Sequence, residues 1–472
     1  MAGIGFKLQR ILHEDSYTSL ARGYLYAAIL SAGPWLFTIT SLALIGPLTA
    51  TVLGQEDQTL FRGLVIYAYM LSLATCGPGQ MIASRHLADR MWLKDREAIL
   101  PAYATLLGLT LAIQTAIGFG LTSFLGLPWL QRVGATELYA VVSALWITLT
   151  FLSAAKDYER IALAFGVGCA VSTGAAVVMG HTGGVVGCLH GFTLGQVLTL
   201  LLLIGRILIE FGGTRRAFDL DVLRAAPRYF DLALMGLLYN LGIWVDKLVF
   251  AYAAESGRAG GMDILPGLRV NPVYEGAMFL AYLTIVPALA LFLIRIETSF
   301  YLGYRELFAA ILEHRPLRAV KERVREVRER LSLSITRLLK LQGLVTALCV
   351  LGGPALLDAL GVDPLMSMLF RVACLGAFAH ALFLLLVIAL LYLERRKTAL
   401  YLCLTFCALN AGLSWLSLQW GIAWHGYGYL AAAAAGVVAG YLALDHALDD
   451  LLYQTFAPQP VLARKEEAAD LE

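Results

Sequence analysis

The chain has 472 residues, of which 59% are apolar and only 15% charged, and its mean hydropathy is +0.72. Soluble domains carry roughly 25% charge, so this composition rejects a water-soluble protein and makes lipid the solvent of the exterior. A net charge of +2 gives no sign of a nucleic-acid partner.

Residues 1–22 are expected to form a cytoplasmic N-terminal segment. Ile4, Leu8, Ile11 and Leu12 lie at helical spacing beside Lys7 and Arg10, which suits a short helix in the membrane interface. The first apolar run, Tyr24 to about Thr51, is too long for a cleavable leader and reads as a retained span. A spanning helix needs about 20 apolar residues. Twelve runs qualify: 23–50, 61–83, 100–125, 136–155, 161–180, 185–206, 230–253, 274–294, 338–358, 367–393, 398–420 and 427–448. Each exceeds the roughly ten residues of a barrel strand, and none alternates with period two. The fold class expected is therefore an all-α polytopic membrane protein with about twelve transmembrane helices.

Basic residues set the orientation. With the N-terminus in the cytoplasm, 30 of the 36 Lys and Arg fall in cytoplasmic segments. Only Arg62, Arg132, Arg258 and Arg269 fall outside, and Lys247 and Arg371 lie within spans. The even count places both termini in the cytoplasm. The basic segment 206–228 divides the spans six and six, giving an N-lobe at 23–212 and a C-lobe at 213–450. Halves of even count insert alike, so a repeat would be parallel, about an axis along the membrane normal. Pro78 before Arg85 in span 2 matches Pro287 before Arg295 in span 8. Gly33-Pro34 predicts a break in span 1.

The longest cytoplasmic segment, 296–337, contains the mixed-charge run Lys321 to Arg330. Its spacing predicts a helix in which Glu322 meets Arg325 and Glu326 meets Arg330. A solvated face is the plain reading. The sharper one makes Arg318, Arg325 and Arg328 a docking surface for a cytoplasmic partner or anionic lipid. The tail, 451–472, is polar and expected to be disordered.

Catalytic and cofactor chemistry is not in evidence. No G-x-x-x-x-G-K-[ST] phosphate loop occurs, so no nucleotide cofactor is expected, and no glycosyltransferase cluster occurs. His181, His190, His380 and His425 do not pair at metal-ligand spacing, and the seven cysteines read as small buried apolar side chains. Weight falls instead on polar groups within spans, where burial costs at least about 2.5–3.5 kcal/mol. These are Asp246 and Lys247 in span 7, Glu275 at the outer start of span 8, Arg371 in span 10, and Asn240 and Asn410. Pairing of Asp246 or Glu275 with Arg371 or Lys247 would simply lock helices together. In the alternative, Tyr239, Asn240, Trp244 and Asp246 line a translocation path with Trp35 and Arg371. Aromatic faces and polar groups side by side would suit a ligand that has both apolar faces and hydroxyls.

At the N-terminus, Met1-Ala-Gly-Ile-Gly-Phe-Lys-Leu, Asp15-Ser16 and Arg22-Gly-Tyr-Leu-Tyr-Ala-Ala-Ile-Leu-Ser-Ala-Gly-Pro-Trp35 resemble the PelG family of inner-membrane exopolysaccharide transporters. Length, span count and the long loop after span 8 extend the resemblance over the chain. That family is similar to the polysaccharide transporter branch of the multidrug/oligosaccharidyl-lipid/polysaccharide flippase superfamily, which implies two six-helix lobes around a central cavity. It also implies export of an N-acetylgalactosamine-rich Pel polymer made by a cytoplasmic PelF-like glycosyltransferase. PelD-like (a cyclic-di-GMP receptor) and PelE-like membrane proteins would complete the complex. Two competing readings are a membrane scaffold for the synthase and a cation-coupled exporter or flippase of small molecules or lipid-linked oligosaccharides. The last expects acids deep in the lobes, and the first six spans have almost none.

Overall fold

The computed structural model describes residues 36–155, 158–213, 216–253, 260–295 and 300–457. The proposed interfacial helix, the Gly33-Pro34 break, Trp35 and most of the tail lie outside them. In chain order the helices are α1 (Leu36–Thr49), α2 (Gln55–Trp92), α3 (Ile99–Ser123), α4 (Trp129–Ala155) and α5 (Tyr158–Phe211). A short α6 (Asp221–Ala225) and one 3-10 turn lead into α7 (Phe230–Tyr252). Then come α8 (Pro272–Leu283), α9 (Val286–Arg295), α10 (Tyr301–Leu312), α11 (Leu317–Ala359) and α12 (Pro364–Tyr392). The chain closes with α13 (Arg396–Gln419), α14 (Tyr427–Asp449) and α15 (Leu451–Phe456). Among the described residues, ten helices are long and apolar enough to cross a membrane, so the chain is a multi-pass membrane protein.

Several boundaries differ from the sequence reading for identifiable reasons. Spans 5 and 6 form one element interrupted at Gly184, where φ is 60°. At 1.5 Å per residue its length would be roughly 80 Å, far beyond a bilayer of about 30 Å. It folds back instead. Ser172 donates to the Phe192 carbonyl at 2.9 Å, and Gln196 donates to Ser172 Oγ at 3.0 Å, so two antiparallel arms face each other. Span 8 is broken at Thr284 into α8 and α9, because Pro287 cannot donate to the preceding turn. Pro78 sits inside α2 without ending it.

The charged helix of the 296–337 segment and span 9 are one continuous helix, α11, of 43 residues. Its charged half projects beyond its apolar half. Leu451–Phe456, assigned to the disordered tail, is helical. The segment after α7 holds a feature not anticipated, an antiparallel hairpin of β1 (Met262–Leu265) and β2 (Leu268–Val270) turning at Gly267.

Buried apolar side chains fall into one large cluster from Tyr229 to Leu451 and two clusters within residues 45–222. Leu268 of the hairpin joins one of the latter. Between these groups α2 and α7 run antiparallel in backbone contact. A Cβ on Gly77 would lie 2.7 Å from the Gly236 carbonyl oxygen, and one on Gly236 would lie 2.6 Å from that of Gly77. Small residues permit this approach, as is common where membrane helices pack.

Candidate translocation site

The polar centre of α7 faces the later half of the chain. Asp246 is fully buried, and its carboxylate accepts from Lys247 Nζ at 3.1 Å through both oxygens. Tyr274 Oη of α8 donates to it at 2.8 Å, and Asn410 Nδ2 of α13 at 3.3 Å. Asn410 also donates to the Gly242 carbonyl, and Ser414 donates to Asn410 Oδ1. Phe250 stacks on Tyr274 with ring centroids 3.9 Å apart, which seals this end.

Lys247 is sealed in the same way. Its ammonium donates to the Ile243 carbonyl at 2.8 Å and reaches Tyr282 Oη at 3.4 Å. The rings of Trp244, Tyr282 and Tyr429 lie 4.9–5.6 Å from Nζ, within cation–π range. Tyr282 donates to Tyr429, and Tyr239 bonds the buried His380 at 3.1 Å. Each oxygen of the Asp246 carboxylate therefore accepts from two protein donors. A neutral pair held this way can brace α7 against α8, α13 and α14. It is not an open wall.

The candidate partners of these charges sort accordingly. Asp246 pairs with Lys247 and not with Arg371, which lies on an exposed face of α12. Glu275 pairs with neither cation; its carboxylate accepts from the Asn271 backbone N–H at 2.9 Å and helps cap α8. Asn240 donates to the Leu73 carbonyl of α2. Trp35 lies outside the described residues. Of the six path candidates, the structure brings Tyr239, Asn240, Trp244 and Asp246 onto one helix and leaves Arg371 apart. Tyr274, Tyr282 and Tyr429 were missed. Their signal was available, since a tyrosine within a span carries a hydroxyl that must find a partner.

A cleft of about 600 Å³ lies against another stripe of α7: Val245, Leu248, Val249 and Tyr252. Leu64, Tyr67 and Leu71 of α2, Leu121 of α3 and Tyr139 of α4 form its opposite walls, and Gly267 and Leu268 of the hairpin border it. No charged residue lines it among the described residues. Residues 245, 248, 249 and 252 share a helical face from which Asp246 is turned away. Position 246 therefore does not line this cleft.

Both ends of α2 are tied to the later half. At the end that the charge bias assigns to the cytoplasm, Arg85 pairs with Glu394 and with Asp89, and Tyr229 donates to Asp89 at 2.5 Å. At the opposite end Tyr67 donates to the Arg269 carbonyl at 2.5 Å, and Tyr252 donates to that of Gly267 at 2.9 Å. The hairpin thus straps α7 to α2.

On α11 the arginines are committed unequally. Arg328 is clamped by Asp445 and Asp449 of α14, the latter at 2.8 Å, and these hydrogen bonds raise its pKa above the ordinary value. It is not free to dock a partner. Arg325 pairs with Glu329 at 3.1 Å, not with Glu322, while Arg330 does reach Glu326 at 3.9 Å. Arg318 and Arg325 remain exposed. No group of three or more potential metal ligands occurs among the described residues.

A family model, "PelG: Putative exopolysaccharide Exporter (EPS-E)", matches residues 1–456. No curated protein matches the chain. Among solved structures, a MOP superfamily transporter from Pyrococcus furiosus is 15% identical with a TM-score of 0.64, covering 91% of this chain and 96% of its own. An outward-facing multidrug resistance MATE family transporter is 16% identical with a TM-score of 0.62, covering 91% and 96%. A MATE protein in its bent conformation is 16% identical with a TM-score of 0.61, covering 94% and 99%. These likenesses show the fold, that of MATE-like transporters.

Proposed function

Because the chain belongs to the PelG family of exopolysaccharide exporters, we propose that it carries a Pel-type, N-acetylgalactosamine-rich polymer from cytoplasm to periplasm across the inner membrane. In this reading twelve spans form two six-helix lobes, both termini are cytoplasmic, and a cytoplasmic glycosyltransferase feeds the polymer in. The family match over nearly the whole chain carries the proposal. The division of the buried core near residue 225 supports two lobes. The cleft between α2 and α7, with Tyr67, Tyr139 and Tyr252 on its walls, supports a path on which sugar rings slide over aromatic faces.

The sealed pair at Asp246 favours this over cation-coupled export. The buried mid-span acid of α7 already holds an ammonium, that of Lys247. The test is vesicle translocation. Vesicles holding this protein and the glycosyltransferase should protect labelled polymer from an external glycosidase. Vesicles with the glycosyltransferase alone should not, and equal protection in both would overturn the proposal.

Partner docking falls to the exposed face of α11, and the partners proposed are the PelF-like glycosyltransferase with PelD-like and PelE-like membrane proteins. Reversing Arg318 and Arg325 to Glu should cut co-purification of the glycosyltransferase while leaving membrane insertion intact. Arg325 pairs with its exposed neighbour Glu329, and such pairs contribute about 0.3–0.5 kcal/mol to the helix. Unchanged co-purification would return α11 to a solvated helix.

A further inference from the structure

A second concavity, of about 770 Å³, lies between α11 and α14 where the charged part of α11 meets its apolar part. Both helices pack on α12, so it is a valley whose two banks are held at one end by the Arg328 clamp. Leu331, Ile335, Leu339, Leu444 and Leu448 line its apolar length. Leu339 is 40% exposed and Leu333 on the same bank 56%. An apolar valley where two spans meet the cytoplasmic segment is not left empty when lipid can enter it, because its bare walls would lose their dispersion partners. Its volume and the apolar part of its lining suit an acyl chain.

The head end decides which lipid. Arg328, Glu329 and Asp445 border the valley, and Asp449 completes the clamp on Arg328. With Arg325 paired to Glu329, two guanidinium groups face three carboxylates, which leaves an excess of one negative charge. An anionic headgroup is repelled there. A primary ammonium can donate up to three hydrogen bonds to these carboxylates. A quaternary ammonium has the charge but no N–H to donate.

We propose that this valley binds one phospholipid with an ethanolamine headgroup, wedged between α11 and the last span. The bound lipid joins the projecting half of α11 to the bilayer. The inference does not depend on what the protein exports.

Native mass spectrometry of the purified full chain, offered phosphatidylethanolamine, phosphatidylglycerol and phosphatidylcholine in turn, tests it. One phosphatidylethanolamine should be retained about tenfold better than either rival, the worth of one or two charge-assisted hydrogen bonds. Asp445→Asn with Asp449→Asn should erase that preference and favour phosphatidylglycerol, because Arg328 is released. Leu339→Trp, at an exposed position, should fill the valley and displace the lipid with the acids intact. Equal retention of the three lipids would overturn the proposal. So would an ethanolamine preference that survives either variant in protein eluting as folded.

Discussion

Asp246→Asn alone and Lys247→Met alone should each destabilise the protein by about 3–5 kcal/mol, and the double variant should recover most of the loss. Each single change leaves its partner charged, buried and without a counter-charge. Asp246 is completely enclosed, and Lys247 is 6% exposed, so water cannot replace the lost partner. The double variant removes both charges together and leaves only neutral hydrogen bonds to rearrange. Thermal unfolding of the purified protein in detergent reads the effect. Arg371→Ala serves as the control and should leave the midpoint unchanged, since Arg371 lies on an exposed face and does not pair with Asp246. A double variant no better than the worse single would show that Tyr274, Asn410 and Tyr282 hold the site without the ion pair.

The second large effect is expected where α2 crosses α7. Gly236→Ala places a methyl group 2.6 Å from a backbone oxygen and 2.7 Å from Met81 Cγ, inside any real contact distance. Met81 can swing away, but the Gly77 carbonyl belongs to a helix and cannot. The helices must part by several tenths of an ångström, an overpacking cost of about 1–3 kcal/mol. Gly236→Leu should cost more and abolish polymer export. Gly412→Leu is the matched control, because open space surrounds that position. If Gly236→Leu kept normal export and stability, the α2–α7 contact would be dispensable to the transport cycle.

Much of this architecture is a property of local composition. Apolar runs of spanning length, the charge asymmetry between loops and the break at Pro287 each depend on residues close in the chain. So does the hairpin that was overlooked. Pro266-Gly267 between Ile264-Leu265 and Leu268-Arg269-Val270 is a readable turn signal, obscured because a hydropathy window sees only a polar gap. The continuity of α11 was also legible. No proline or glycine interrupts residues 317–342, and only the change from charged to apolar divided the helix on paper.

The partners of the buried charges are of another kind. Asp246 and Lys247 are neighbours in sequence, and adjacent positions on a helix point about 100° apart. A helical wheel therefore leaves both Arg371 and Lys247 open as partners of the acid. The flexible four-carbon stem of Lys247 bends back, and its ammonium meets both the carboxylate and the Ile243 carbonyl. That bend is favourable only because Tyr274, Asn410, Tyr282 and Tyr429 arrive from three other helices to complete the shell. Likewise, Arg328 looks like a free docking residue until α14 brings Asp445 and Asp449 against it. The sequence by itself determined that the chain is a multi-pass bundle of apolar helices and which polar side chains within them must find partners, because both follow from the cost of placing polar groups in hydrocarbon. Only the tertiary structure decided which partners they found, because that choice rests on contacts between residues as far apart in the chain as Asp246 and Asn410.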